Sequence, residues 1–356
     1  MGTYYVDNDM GATGGTGTQQ DPYGIETAIA AASAGDTFYW RGGDAGDVAV
    51  GHTLSFNKGG SSTAPVRWIG TDNNWAPTPV GEAPQTGVDG NDGPYDVISI
   101  SAAYQSFENV HAHNSLDGRN GMRYAIVVAA HHVILRNCTA SDCQVGFYSY
   151  GQSGQIYPYC RAYDVYNGFD LSCFAALCLR CSVNDTESSA FVARRAMSLI
   201  GCRAHDVGGN GIEVHRDAPT YMRAFTINHC SVYGCVDGVK INAWNGTNAN
   251  IFSVTDSIFD TCSGYAVNVT TPAGQMGLIA NNASHNCSSG QVPTGRTGLI
   301  NEGWIALSAS PFVDAGNGDL SLVRGTPVIG AALDGGDLGA WQRKFARLPY
   351  PVTGLT

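Results

Sequence analysis

A short strand pattern recurs through the middle of the chain and limits the possible folds more than any other feature. The segments AIVVA, GFYSY, GFDLS, AFVAR, GIEVH, GVKIN and AVNVT follow one another at intervals of 21 to 28 residues. A second series, made mostly of cysteines, lengthens its spacing at the same places. Its members are Cys138, Cys160, Cys181, Cys202, Cys230 and Ser257. Because the spacing of both series lengthens at the same places, the sequence predicts stacked coils of about three short strands each, with neighbouring coils about 4.8 Å apart.

Both ends of the chain are predicted to close this stack. Asp21 followed by Pro22 predicts a helix start, and Gly35 predicts its end. The apolar stripe between them would cover the open end of the first coil, where exposed strand edges invite aggregation. That stripe consists of Ile25, Ala28, Ile29 and Ala32. We therefore divide one continuous domain into an N-terminal strand and capping helix (1–36), the coils (37–270), and irregular last coils with a C-terminal tail (271–356).

The composition argues against some classes of binding partner. The net charge is −11 and only three residues are lysine, which argues against nucleic acid or an anionic membrane as a partner. The N-terminal MGTYYVDNDMG lacks the basic and apolar regions of a signal peptide, so synthesis in a cytoplasm without export by the usual route is expected. The 11 cysteines fit a column of small buried thiols better than a set of disulfides or a zinc site.

Four segments resemble a known superfamily. They are YYVDND, ETAIAAASAGDTFYWRGG, FENVHAHN and the late stretch SPFVDAGNGDLSLVRGTPVIGAALDGGDLGA. Together they resemble the right-handed parallel β-helix proteins of the pectate-lyase-like superfamily. The resemblance implies an all-β fold, a right-handed parallel β-helix (solenoid) with an N-terminal capping helix. It does not imply one activity, because polysaccharide lyases, glycoside hydrolases, bacterial surface proteins and phage tailspikes share this fold.

Outward positions of the recurring strands contain the candidate catalytic residues. Asp170 and Glu213 lie two coils apart, a separation near the upper limit for the two carboxyl groups of an inverting glycosidase. Arg194, His215 and Lys240 on the same face suggest a lyase instead, which neutralises a uronate carboxylate while a base removes the neighbouring proton. The alternative is that these charges are the ordinary solvent side of a repeating strand.

Further residues on this face are candidates for contacts with sugar. Tyr148, Tyr150 and Trp244 offer flat aromatic surfaces and Asn242 offers an amide, a combination that suits carbohydrate. They are equally typical of ordinary strands, in which Tyr is common. The paired-aspartate, Gly-His-Gly and Arg-x-Lys signatures of polygalacturonases are absent from the sequence.

Four aspartates follow the cysteine series at a constant offset. They are Asp142, Asp164, Asp185 and Asp206. Carboxylates stacked on successive coils repel one another unless something compensates, and Ca²⁺ is one candidate because it prefers oxygen ligands. The alternative is that each Asp stabilises the turn between two strands.

These observations leave three functional hypotheses. The first is a phage virion protein, a tailspike or capsid decoration, synthesised in the host cytoplasm, assembled as a homotrimer with other virion proteins and binding a cell-surface polysaccharide. The second is a polysaccharide lyase or glycoside hydrolase acting on an acidic polysaccharide. The third is an extracellular or cell-surface adhesin or structural solenoid.

Overall fold

A computed structural model gives the fold of this chain. It describes residues 1–10, 13–42, 47–80, 82, 84, 86–115, 123–215, 223–242, 250–270, 276–294, 298–334 and 336–339. The described chain winds through three parallel sheets, and a complete coil contributes one segment to each. The predicted all-β parallel β-helix is therefore confirmed.

The first sheet contains the strand that opens each coil. Its described strands are Thr3–Asp7, Thr37–Arg41, Val66–Thr71, Gln105–Glu108, Ile134–Arg136, Ile156–Pro158, Ala176–Leu179, Met197–Ile200, Arg223–Asn228, Asn250–Thr255, Met276–Ala280 and Leu299–Glu302.

The second and third sheets follow in chain order, and two long strands, Thr139–Ser153 and Arg161–Phe174, bend from the second sheet into the third. Besides these, the second sheet contains Val48–Ala49, Thr86–Asp89, Val110–His113, Ser182–Thr186, Arg203–Val207, Ser231–Cys235, Ile258–Cys262, Ala283–His285 and Ile305–Ala306. The third contains Leu54–Phe56, Ile98–Ile100, Tyr124–Val128, Phe191–Ala193, Ile212–Val214, Val239–Ile241 and Val267–Val269.

Single residues in the left-handed conformation make the bends between sheets. Between the first and second sheets they are Asn109, Asn137, Tyr159, Arg180, Gly201, His229, Asp256 and Asn281. Between the second and third sheets they are Asn114, Asp142, Asp164, Asp185, Asp206, Gly234, Thr261 and Asn286. Asn, Asp and Gly tolerate positive φ better than other residues, which explains why they dominate both series.

The core is formed by the recurring positions identified in the sequence. The inward residues of the third sheet are all buried, and Phe169 stacks on Phe147 with ring centroids 4.5 Å apart and on Phe191 at 5.2 Å. The predicted column of buried thiols is present as well. Cys160 donates to the Leu135 carbonyl of the preceding coil at 3.0 Å, and Cys181 to that of Tyr157 at 2.8 Å.

The N-terminal helix covers the first coils, as predicted, but it starts later than the sequence suggested. It spans Ile25–Ala31, and Ile25, Ala28 and Ile29 are buried. The predicted start at Asp21 and Pro22 is wrong because Tyr23 pairs with the first strand, donating its amide hydrogen to the Tyr5 carbonyl at 2.8 Å. None of the helices in the described ranges is both long and apolar enough to cross a lipid bilayer.

After the last coil the chain folds back against the outside of the second sheet. An antiparallel pair, Phe312–Asp314 with Asp319–Leu322, begins this segment. Its apolar side chains pack with two outward residues of the second sheet, Ile258 and Ala283. The tail therefore covers the C-terminal part of that face.

Candidate functional site

The outward face of the third sheet brings most of the predicted site residues into one column. Strand register aligns Tyr148 with Asp170, Asp170 with Val192, Val192 with Glu213, and Glu213 with Lys240. Parallel strands in register place such residues on successive coils, about 4.8 Å apart. A second outward column contains Arg194, His215 and Asn242, each of which bonds through its amide to the coil before it.

Asp170 and Arg194 form a buried, bidentate ion pair. Arg194 Nε lies 2.5 Å from Asp170 Oδ1 and its Nη2 lies 2.7 Å from Oδ2. The Asp170 side chain is only 3% exposed, whereas that of Arg194 is 22% exposed. Both oxygens of Asp170 accept from the guanidinium, so this carboxylate orients Arg194.

His215 extends this ion pair. Arg194 Nη1 lies 3.2 Å from His215 Nδ1. Because a guanidinium can only donate, Nδ1 accepts this bond, and in the neutral ring the hydrogen is on Nε2. The arrangement therefore makes His215 Nε2 a hydrogen-bond donor.

Glu213 accepts hydrogen bonds from three side chains. Ser189 and Asn210 donate to Oε2 at 2.8 and 3.1 Å, and Asn242 donates to Oε1 at 2.7 Å. Burial by itself raises the pKa of Glu213, but the bonds from Ser189 and Asn210, the nearby His215 and the bond from Asn242 together lower it. Ser189 and Asn210 were not identified from the sequence, because neither lies on the outward positions of a recurring strand.

These two carboxylates do not provide the acid that hydrolysis requires. An inverting glycosidase needs one carboxyl group that stays protonated because its pKa is raised. Asp170 is instead paired with a guanidinium, and the pKa of Glu213 is lowered. The geometry therefore disfavours the hydrolase alternative at this site.

Lys240 differs from its neighbours on this face. Its side chain is half-buried, and within the described residues no hydrogen bond or ion pair joins its ammonium group. The adjacent coils place Glu213 on one side of it and Asn268 on the other. The side-chain amide of Asn268 donates a hydrogen bond to Asp237 at 2.8 Å. Lys240 therefore offers a primary amine to a ligand at this face.

Aromatic residues extend the face toward the N terminus. Tyr148 stacks on Tyr124, with ring centroids 4.1 Å apart, and lies 5.7 Å from the exposed ring of Tyr150. Burial and the charge of Asp170 raise the pKa of Tyr148. Tyr124 was missed in the sequence because it precedes the recurring segment. Trp244 lies outside the described residues.

The aspartate ladder occupies the bends between the second and third sheets. Asp142, Asp164, Asp185 and Asp206 all have φ between 49° and 53°, and Gly234 continues the series at 61°. Asp164, Asp185 and Asp206 are exposed, and burial followed by the charges of Asp142 and Asp185 raises the pKa of Asp164. Backbone conformation therefore accounts for these residues without the proposed Ca²⁺.

A separate cluster of side chains that could bind a metal ion lies on the second sheet. Within the described ranges, three or more such side chains meet within 4.8 Å only at Asp47, His111 and His113, on the outside of the second sheet. Burial and the neighbouring His113 lower the pKa of His111, whereas the hydrogen bond to Asp47 raises that of His113.

Comparison with known proteins identifies the fold and leaves the activity open. No protein-family model and no curated protein sequence matches the chain. Among solved structures, pectate lyase Pel9A is similar at a TM-score of 0.68 and 17% identity over 96% of both chains. A rhamnogalacturonan lyase is similar at 0.65 and 14% identity over 96% of both chains. The alginate lyase from Paenibacillus sp. str. FPU-7 is similar at 0.62 and 11% identity, over 84% of this chain and 99% of that one.

The chain has the pectate-lyase-like parallel β-helix fold. The predicted superfamily resemblance is thus confirmed at the level of fold. The structures named above are polysaccharide lyases and not phage tailspikes, so they do not support the phage and virion part of that prediction.

Proposed function

We propose that this protein binds an acidic polysaccharide along the outward face of its third sheet and cleaves it by elimination. The observation that carries this proposal is the amine of Lys240, which has no polar partner within the described residues and lies one coil from Glu213 and His215. The shared fold of three polysaccharide lyases supports the same class of substrate.

In this proposal Lys240 is the base. It removes the proton on the carbon next to the uronate carboxylate, the β carbon–oxygen bond breaks and a double bond forms. The leaving oxygen takes up a proton from water, and Lys240 later returns the proton that it removed to solvent. His215 Nε2–H donates a hydrogen bond to the substrate carboxylate, which stabilises the charge that develops there. Asp170 and Arg194 position His215, and Tyr150 provides an exposed ring for a neighbouring sugar.

The test is a degradation screen on pectate, rhamnogalacturonan and alginate. Elimination gives an unsaturated product that absorbs in the ultraviolet, whereas hydrolysis gives new reducing ends without that absorption. We expect the wild-type protein to give the unsaturated product with one of these polymers. Lys240→Ala should lower its rate of formation by at least about 100-fold, the lower range for losing a general base.

Lys58→Ala is the matched control. Lys58 is an exposed lysine near the N-terminal helix, just after the first strand of the third sheet and seven strand pairings before Lys240, and its removal should leave the rate unchanged. Full activity of Lys240→Ala, or no unsaturated product from the wild-type protein with any acidic polymer, would reject the proposal.

The virion hypothesis, with its homotrimer and its location in a phage particle, stays a prediction. Light scattering of the purified protein checks the trimer directly. The solved structures described above favour the lyase alternative, because each of those three is an enzyme that acts on a polysaccharide.

A further inference from the structure

A second cluster lies on the outside of the second sheet, near the N-terminal end of the solenoid. His111 and His113 are outward residues of the strand Val110–His113, whereas Val110 and Ala112 are buried in the core. Asp47, immediately before the strand Val48–Ala49, completes the cluster from the start of the sheet. Strand alternation therefore presents both imidazoles to the same carboxylate.

A glycine provides the space for that carboxylate. Gly87 pairs with His111 in the strand register. A Cβ atom at Gly87 would lie 2.2 Å from Asp47 Oδ1, which is closer than any real side chain permits. The Asp47 carboxylate thus lies in the outward column directly before His111.

The three potential ligand atoms are close to the geometry of a bound metal ion. Asp47 Oδ2 lies 2.6 Å from His113 Nε2 and 3.9 Å from His111 Nδ1. Ligands about 2.0–2.1 Å from a tetrahedral zinc ion lie about 3.4 Å from one another. Shifts of less than about 1 Å in these two distances would produce that arrangement.

The groups behind the imidazoles fix their orientation. His111 Nε2 lies 3.0 Å from Ser141 Oγ. In the tautomer with the hydrogen on Nε2, that hydrogen bonds to the serine and the Nδ1 lone pair faces Asp47. Asn114, the residue after His113, donates to Asp89 Oδ1 at 3.0 Å. Histidines that bind metals usually hold their second ring nitrogen in this way.

We propose that Asp47, His111 and His113 bind one divalent transition-metal ion of the zinc class. Two imidazoles and one carboxylate suit Zn²⁺, Co²⁺ or Ni²⁺, whereas Ca²⁺ prefers a shell made of oxygen atoms. The side chains of Asp47, His111 and His113 are 27%, 19% and 16% exposed, so solvent reaches the cluster and water fills the remaining coordination positions. This inference concerns a face different from the one proposed for polysaccharide and does not depend on that function.

The experiment is a Co²⁺ titration of the full chain after treatment with a chelator, followed by visible absorption, with Zn²⁺ competition to displace the cobalt. We expect one equivalent of Co²⁺ to bind with a ligand-field spectrum, and Zn²⁺ to abolish that spectrum. His113→Ala and Asp47→Asn should each weaken binding by more than about tenfold, since even the loss of an outer-shell partner typically weakens a site by about 10–100-fold.

His52→Ala is the matched control. His52 Nε2 lies 2.9 Å from Glu26 Oε1, and among the described residues this histidine–carboxylate pair has no third ligand. Its replacement should leave the stoichiometry and the affinity unchanged. If the His52 variant loses the bound equivalent, or the His113 variant keeps it, the assignment is wrong.

Ser141→Ala provides a variant that retains all three ligands. It should weaken binding by about tenfold through the lost hydrogen bond to His111, while its circular dichroism stays that of the wild type. Wild-type protein that binds neither Co²⁺ nor Zn²⁺, or that binds Ca²⁺ with equal affinity, would overturn the proposal.

Discussion

The polar clusters on the second and third sheets arise from the same strand alternation, but their carboxylates have different partners. On the third sheet, Asp170 and Glu213 face a guanidinium and three side-chain donors. On the second sheet, Asp47 faces two imidazoles, whose nitrogens can present lone pairs. The comparison teaches that the neighbours on adjacent coils, and not the outward position itself, decide whether a carboxylate is held by hydrogen-bond donors or faces groups that can bind a metal ion.

The largest expected effect is the loss of the buried ion pair. Arg194→Ala should lower the free energy of unfolding by about 3–5 kcal/mol, because it removes the guanidinium partner of the buried Asp170 carboxyl group. Chemical denaturation measures this change. Arg67→Ala, which removes an exposed arginine from a strand of the first sheet, should change it by less than about 0.5 kcal/mol.

A double replacement sharpens this prediction. Asp170→Leu combined with Arg194→Met removes both charges and should recover most of the lost stability, because a buried pair contributes little beyond its apolar equivalent. Equal destabilisation by the single and double variants would mean that packing, and not the unpaired charge, causes the effect.

The next effect is stabilisation by a metal ion. Zn²⁺ at about 100 times its dissociation constant should raise the free energy of unfolding by up to about 2.7 kcal/mol, a gain that zinc binding to the 11 cysteines exposed on unfolding would reduce. His113→Ala should abolish this gain while changing the metal-free stability by no more than about 1 kcal/mol, since its partner Asp47 is partly exposed. Thermal unfolding with and without Zn²⁺ checks both statements. A gain that persists in the variant would contradict them.

The smallest expected effect concerns Glu213 and depends on pH. Glu213→Gln should cost about 1–2 kcal/mol at neutral pH, because the three donors lose a charged acceptor. The pKa of Glu213 is lowered in the folded state, so its contribution is complete above the ordinary carboxyl pKa of 4.5 and is lost as the pH falls through the folded value.

The difference in melting temperature between the wild type and Glu213→Gln should therefore shrink between pH 7 and pH 3. A difference that is constant or grows over this range would show that the ionised form of Glu213 is not the one that stabilises the fold.

The sequence predicted the repeating architecture well because the repeat acts locally in every coil. The inward positions Phe147, Phe169 and Phe191 are identifiable from spacing alone, and each is buried in the structure. The helix start was less predictable, because Tyr23 pairs with the first strand, which lies outside the local capping pattern. Local capping signals cannot report such pairing.

The candidate sites were predictable only in part. Strand alternation by itself predicts one column for Asp170, Glu213 and Lys240, and the register of the strands agrees. Strand alternation did not identify Ser189 and Asn210. Both donate hydrogen bonds to Glu213, and these bonds fix the carboxylate that the sequence had suggested as a catalytic group. Hydrogen bonds from outside the column depend on the path of the loops.

The sequence by itself determined the coil, the inward face and the thiol column, because a side-chain period of two and a repeat of 21 to 28 residues are written into it. Tertiary structure alone decided which polar groups meet. Asp47 and His113 are 66 residues apart in the chain, and they lie 2.6 Å apart because coils stack in register. Stacking of the coils brings residues that are distant in the chain into contact across the sheet, and a local sequence pattern does not predict such contacts.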